Sequence, residues 1–310
     1  MPNRGRWSVG LSLLLIGASA MTWLLLPSAS IEDHPATVSA RTTDFVQQLA
    51  IPAYADPTAN PGTWDQLTGG EPGAIGIIVA NVDSGPGSRS DPAWASVIQR
   101  ARAAGTTVLG YVDTGYLGNP SEANPAGLPT RSGPRDVGAW LNQVEADIDD
   151  WYAFYGANLG GIFLDQTTSE CGPLPGSNIY ADEYRTLTAY VKRTHPGAMT
   201  VLNPGIAVPR CFDNAADVLV TFEGSYANYV GTPGSQGKAY QPLDWAPSSP
   251  DKVWHIVYGA DSSVEMVHAM ALGRSRDAGY VYVTDAGPPN PFGVLPPTDY
   301  WSAEQGHRSP

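Results

Sequence analysis

The fold class that the sequence predicts is a single (β/α)8 barrel of the TIM type, and three observations predict it. From Leu49 onward, eight short apolar runs alternate with turn-rich or helix-patterned stretches. Most runs are continuously apolar rather than alternating, as parallel strands are when helices cover one side and a packed interior the other. The span from first run to last, residues 49–285, is close to the roughly 250 residues of one such barrel. The 34 Gly and 28 Pro supply many turns and exclude a coiled coil. A doubly wound sheet is the alternative, but the glycine-rich dinucleotide fingerprint is absent.

The runs are Leu49–Tyr54, Ala74–Asn81, Thr107–Asp113, Gly161–Asp165, Met199–Asn203, Val218–Glu223, Val253–Tyr258 and Gly279–Asp285. Helical periodicity is clearest over Arg135–Tyr155, where Trp140, Val144, Ile148, Trp151 and Tyr155 fall at three- and four-residue steps. Asp182–Lys192 repeats it with Tyr184, Leu187 and Val191, Ser263–Arg276 with Val264, Val267 and Ala271, and Trp94–Ala104 less regularly. The segments 203–218 and 226–253 read as mostly irregular, and residues 286–310, with six Pro, as a Pro-rich tail.

At the amino terminus, Arg4 and Arg6 precede the apolar stretch Trp7–Leu26, and small residues follow. Residues 1–30 therefore read as a signal peptide or, if uncleaved, as a signal anchor that attaches the protein to the outer face of the membrane through residues 7–26. Residues 31–48 read as a linker. The expected location is secreted or extracellular. Cys171 and Cys211, the only cysteines, are expected to form a disulfide in that oxidising compartment.

Composition excludes some function classes. Thirty Asp and Glu against 17 Lys and Arg give a net charge of −13, so the basic surface that nucleic-acid binding requires is missing. P-loop, nucleophile-elbow and His-Glu-x-x-His motifs are absent, and the five His have no short ligand spacing, so no cofactor and no metal are expected. Sequence alone assigns no oligomeric state.

In a barrel, chemistry belongs at the carboxyl ends of the strands. Asp165 ends the fourth run and Glu223 the sixth, with no Lys or Arg in either run to neutralise them. With one strand between them, the two carboxylates can face each other across a pocket. Cleavage of a glycosidic bond needs such a pair: one group protonates the leaving oxygen, and the other attacks or supports the sugar carbon. Asn81 and Asn203 offer amides to sugar hydroxyls. Tyr54, Tyr111, Tyr116 and Tyr258 offer rings to the apolar faces of sugars. Asp113, Gln166 and Asp285 complete the polar residues expected at the mouth as substrate-binding groups.

These residues resemble a known family. Ile51-Pro-Ala-Tyr54 with Pro57 and Trp64, Asn81-Val-Asp-Ser-Gly-Pro-Gly87, Leu109-Gly-Tyr-Val-Asp-Thr114, Gly161-Ile-Phe-Leu-Asp165, Leu202-Asn-Pro-Gly205 and Thr221-Phe-Glu-Gly224 look like the spherulin-4-like family, in order along the chain. The resemblance implies an exported glycoside hydrolase on a (β/α)8 scaffold, cutting α-1,4-linked N-acetylgalactosamine within galactosamine-containing exopolysaccharide. It implies Asp165 as the strand-four catalytic carboxylate and Glu223 as its partner. The related pattern often has Glu directly after that Asp, whereas this chain has Gln166. The resulting expectation is an endo-acting, retaining glycosidase with a polysaccharide substrate. The alternatives are an α-1,4-polygalactosaminidase and an exported, non-catalytic carbohydrate-binding or wall-associated protein.

Overall fold

The computed structural model describes residues 45–120 and 124–307. The expected signal segment and nearly all of the expected linker lie outside the described residues, as does the apolar stretch 7–26. Among the described residues no helix is long and apolar enough to cross a membrane.

Eight parallel strands close into one barrel in sequence order: β1 (Gln48–Ala53), β2 (Ile75–Ala80), β3 (Thr107–Asp113), β4 (Gly161–Asp165), β5 (Met199–Leu202), β6 (Val218–Ser225), β7 (Val253–Tyr258) and β8 (Tyr280–Val283). Each overlaps an expected run. Nearly every residue of β1 to β3 and β7 is buried, which is why these runs are apolar without alternation. Inside the barrel, the Tyr111 ring of β3 stacks on Phe163 of β4, centroids 6.2 Å apart, and Phe163 meets Trp254 of β7 edge to face at 5.6 Å. They form a floor beneath the carboxyl-end mouth.

Helices cover the outside. In α1 (Pro61–Thr68), Pro61 occupies the first turn, where a missing N–H costs nothing, and the Trp64 indole donates to the Ala55 carbonyl. Asp91 caps α2 (Pro92–Ala103) by accepting from the N–H groups of Ala93 and Trp94. Asp136 caps α3 (Val137–Tyr155), which buries the expected stripe from Trp140 to Tyr155. Gly110 makes room for α3: a Cβ there would lie 2.5 Å from the Trp151 ring. The next helix, α4 (Ile179–Thr194), runs a turn longer than its periodicity predicts because Tyr180 and Ala181 are buried too. A single turn, α5 (Tyr226–Tyr229), follows β6.

Two expectations are corrected. For α6 (Ser263–Ser275) the buried face is Met266, Ala269, Met270 and Gly273, and Val264 is 79 % exposed. Gly273 lets the helix lie close to the barrel wall, since a Cβ there would lie 3.0 Å from Gln47 Nε2. The stretch expected to be a tail instead carries α7 (Thr298–Gly306), which buries Tyr300, Trp301 and Glu304. That helix covers the end of β8. β1 and β8 are in register only at Gln48–Tyr280 and Leu49–Val281, and farther along the N–H of Val283 donates to Glu304 Oε1 at 2.8 Å.

Candidate active site

Asp165 and Phe163 are two residues apart on β4 and therefore share the inward face, so the carboxylate rises directly above the aromatic floor. The placement of Glu223 depends on an irregularity. Val220 pairs with Trp254, whereas Phe222 pairs with His255, leaving an extra residue at Thr221. Strict alternation from Val220 would turn Phe222 inward and Glu223 out. The bulge instead sends Thr221 and Phe222 outward to His255 and aligns Glu223 with Ile256 on the inner face.

The amide of Asn203, one residue past β5, joins the two acids. Its Nδ2 donates to Asp165 Oδ1 at 2.7 Å and to Glu223 Oε2 at 2.7 Å. Those two carboxylate oxygens are therefore separated by at most twice that length. Backbone bonds lock the same three strand ends: Asn203 N–H donates to Leu164, Thr167 N–H to the Asn203 carbonyl and Glu223 N–H to Gly205. Gly205 takes φ of +65°, which lets this short turn fold back against β6.

The two carboxyls have different surroundings. Asp165 also accepts from the Tyr111 hydroxyl at 2.6 Å and from the backbone N–H of Gln166. Burial raises its pKa, and these donors oppose the rise by favouring the anion. Among the described residues, Asn203 is the one donor to the Glu223 carboxylate. Burial, and next the negative charge of Asp165, push it up to about 7. When the pair holds one proton, that proton belongs on Glu223.

Behind Asp165 lies a supporting chain of contacts. Tyr54 meets Tyr111 edge to face at 5.6 Å, and its other side meets Phe292, whose carbonyl accepts from the Tyr54 N–H. Residues expected to be a tail thus buttress the site. Thr114, fully buried, donates through its hydroxyl to the carbonyls of Asp165 and Gln166. Gln166 is held at φ of +53°, a left-handed conformation uncommon outside glycine, immediately beside Asp165.

An open cavity of about 1030 Å3 spreads above the pair. It brings together six of the expected residues: Tyr116, Asp165, Gln166, Asn203, Glu223 and Tyr258. Tyr111 and Tyr54 lie beneath and behind Asp165. Three others are placed elsewhere. Asn81 accepts from the N–H of Gly85, closing its own loop. Asp113 accepts from the N–H of Gly115, with burial raising its pKa. Asp285 lies outside the cavity lining, and its charge acts on Tyr282 and Tyr300. The cavity also includes Glu170, Asn228 and Lys238, which sequence reasoning missed. The available signal for Lys238 was that it is the only basic residue between Arg210 and Lys252. Its loop is held by Tyr240, whose ring stacks on the Arg276 guanidinium at 3.8 Å.

At the rim, Cys171 and Cys211 form the expected disulfide, joining the β4–α4 loop to the β5–β6 loop. The bond is compatible with an oxidising compartment.

The profile of spherulation-specific family 4 matches residues 48–304. Spherulin-4 of Physarum polycephalum is 27% identical over 282 residues, covering 88% of this chain and 70% of that protein. The crystal structure of Aspergillus clavatus Sph3 in complex with GalNAc superposes with a TM-score of 0.63 at 20% identity, covering 86% of this chain and 98% of that one. That likeness establishes a shared fold.

Proposed function

This chain belongs to spherulation-specific family 4, and from that premise we propose that it is an endo-acting, retaining glycoside hydrolase of α-1,4-linked N-acetylgalactosamine in galactosamine-containing polysaccharide. One observation carries the reading: two carboxyl groups, Asp165 held by further donors and Glu223 not, share a single amide donor at the floor of an open cavity. An upper limit of twice 2.7 Å between their bridged oxygens supports the roughly 5–5.5 Å spacing of retaining enzymes, rather than the wider gap that admits a water between the acids.

In this mechanism Glu223 carries the proton and delivers it to the glycosidic oxygen as the bond to the anomeric carbon breaks. Asp165, held as the anion by Tyr111, Gln166 and Asn203, attacks that carbon and forms a covalent glycosyl ester. Glu223, now ionised, removes a proton from water, which attacks the same carbon and releases Asp165. Loss of its proton makes Glu223 the base, so its elevated pKa serves both steps. The openness of the cavity supports action within a chain rather than at its end.

The test uses the full chain and defined oligomers of α-1,4-linked N-acetylgalactosamine, with partly deacetylated oligomers in parallel. Asp165→Asn and Glu223→Gln, each nearly isosteric, should keep fold and binding while reducing turnover by at least about 100-fold, within the range that general acid–base catalysis contributes. Turnover unchanged in both variants would exclude this pair. Binding of the oligomers by the parent protein without any cleavage would favour a non-catalytic carbohydrate-binding protein.

A further inference from the structure

The cleft does not end at the catalytic cavity. A second opening of about 470 Å3 is lined by residues 169–178 and Pro209, and it shares Ser169 and Glu170 with the first. The floor of a groove therefore runs from the carboxylate pair, past Glu170, onto the β4–α4 loop. The character of that loop is unusual for a solvent-facing turn. Pro173, Leu174 and Pro175 are all exposed, Leu174 by 71 %. Only five large apolar side chains are exposed among the described residues, and one of them, Leu174, lines this groove. An apolar rim beside a polar cleft is the pattern of a contact surface for a ligand.

The loop is also braced beyond what its length requires. The disulfide ties it to the β5–β6 loop, and the carbonyl of Cys171 accepts from the N–H groups of both Tyr180 and Ala181. The Thr168 N–H donates to the buried Tyr184 hydroxyl, and the Ser177 N–H to the Leu174 carbonyl. Arg185 of α4 holds the Cys211 carbonyl on the other side of the bridge. A shelf ordered in advance loses little conformational freedom when a ligand settles on it.

Resting on the proposed activity, we propose that residues 173–175 form an outer subsite for a further sugar unit of the same polysaccharide chain, reached over Glu170 from the bond being cut. The occupant is an N-acetylhexosamine unit. The aliphatic shelf meets the C–H face of its ring and the acetamido methyl, and Glu170 at the junction accepts hydroxyl or amine protons from the intervening sugar. Continuity with the catalytic cavity identifies the occupant as the same glycan, because a chain lying across Asp165 and Glu223 must leave the cavity by an open end.

The experiment compares the full-length parent with Leu174→Ser and Leu174→Asp on reducing-end-labelled α-1,4-N-acetylgalactosamine oligomers of three to ten units. Binding of the same oligomers is measured in a Glu223→Gln background. Leu174 is exposed and lies outside the catalytic cavity, so both variants should fold and cleave trimers at the parent rate. Their kcat/KM on octamers and longer should fall about five- to tenfold, a loss in the range expected for uncovering part of a Leu side chain. The cleavage pattern along the long oligomers should shift accordingly. A long-to-short ratio equal to that of the parent in both variants would overturn the subsite and leave the hydrolase standing. Leu174-dependent binding of long oligomers with no cleavage would sustain the subsite and reject the hydrolase. Absence of binding to every oligomer would overturn both.

Discussion

Replacing Asn203 with Leu removes the one N–H2 group that donates to both acids while keeping the branching and heavy-atom count of the side chain. Each lost bond is charge-assisted, worth about 1.5–3 kcal/mol, and one pKa unit corresponds to about 1.4 kcal/mol. A donor to the anion lowers a carboxyl pKa, so its loss raises it, by about 1–2 units for each partner. Glu223 starts at about 7 through burial and the Asp165 charge, so its pKa should move upward from there. Asp165 should rise less, because Tyr111 and the Gln166 N–H remain. In a profile of kcat/KM against pH, the alkaline limb reports loss of the Glu223 proton and the acidic limb reports protonation of Asp165. Both limbs should shift to higher pH, the alkaline one farther, and the maximum should fall about tenfold or more as the pair loses its spacer. The assay is initial-rate hydrolysis of a soluble oligomer between pH 4 and 10, with circular dichroism confirming the fold at each end. An alkaline limb that stays in place, or moves down, in a folded Asn203→Leu protein would refute the argument that this amide sets the proton affinity of the pair.

Three further outcomes are expected. Glu304 is fully buried and pushed up to about 8 by that burial, against an unfolded value near 4.5; it therefore favours folding below about pH 4.5, and the contribution is lost as pH rises through 8, with a total of order 5 kcal/mol. Glu304→Gln, which keeps an acceptor for Val283, should raise Tm at pH 9 and leave it unchanged at pH 5 in a melting series. Replacing Cys171 and Cys211 together with Ser opens a loop with a sequence separation of 40, which the chain-entropy model values at about 4 kcal/mol, so calorimetry should show a Tm lower by roughly 10 °C. Gln166→Glu adds negative charge beside the coupled pair; turnover of partly deacetylated, cationic oligomers should rise several-fold relative to fully acetylated ones, and added salt should shrink the difference.

Much of this architecture is written locally in the chain. Parallel strands buried on both faces must be runs of apolar residues, and all eight runs, from Leu49 onward, were therefore visible without any partner strand. The same holds for the α3 stripe, because a helix that buries one face repeats its apolar residues every three or four positions. Asp165 and Glu223 stand out because each ends an apolar run that holds no Lys or Arg to neutralise it. The cysteines could be paired because there were only two.

What only the tertiary structure decided is the direction and partnership of those side chains. Whether Glu223 faces in or out depends on one extra residue at Thr221, and that bulge reflects how β6 pairs with β7 rather than any pattern within Val218–Ser225. Asn203 reads as an amide free for substrate, but both of its N–H bonds go to the acids, from strand ends 38 and 20 positions away in sequence. Asn81 and Asp113 were drawn to turn N–H groups close to them in their own loops, a competition that composition does not reveal. Residues 286–306 look too polar and Pro-rich to fold, yet Phe292, Tyr300, Trp301 and Glu304 are buried against the barrel. A short helix of that kind is stabilised by the surface it covers, and that surface is assembled from α6 and the end of β8, which only the folded barrel brings together.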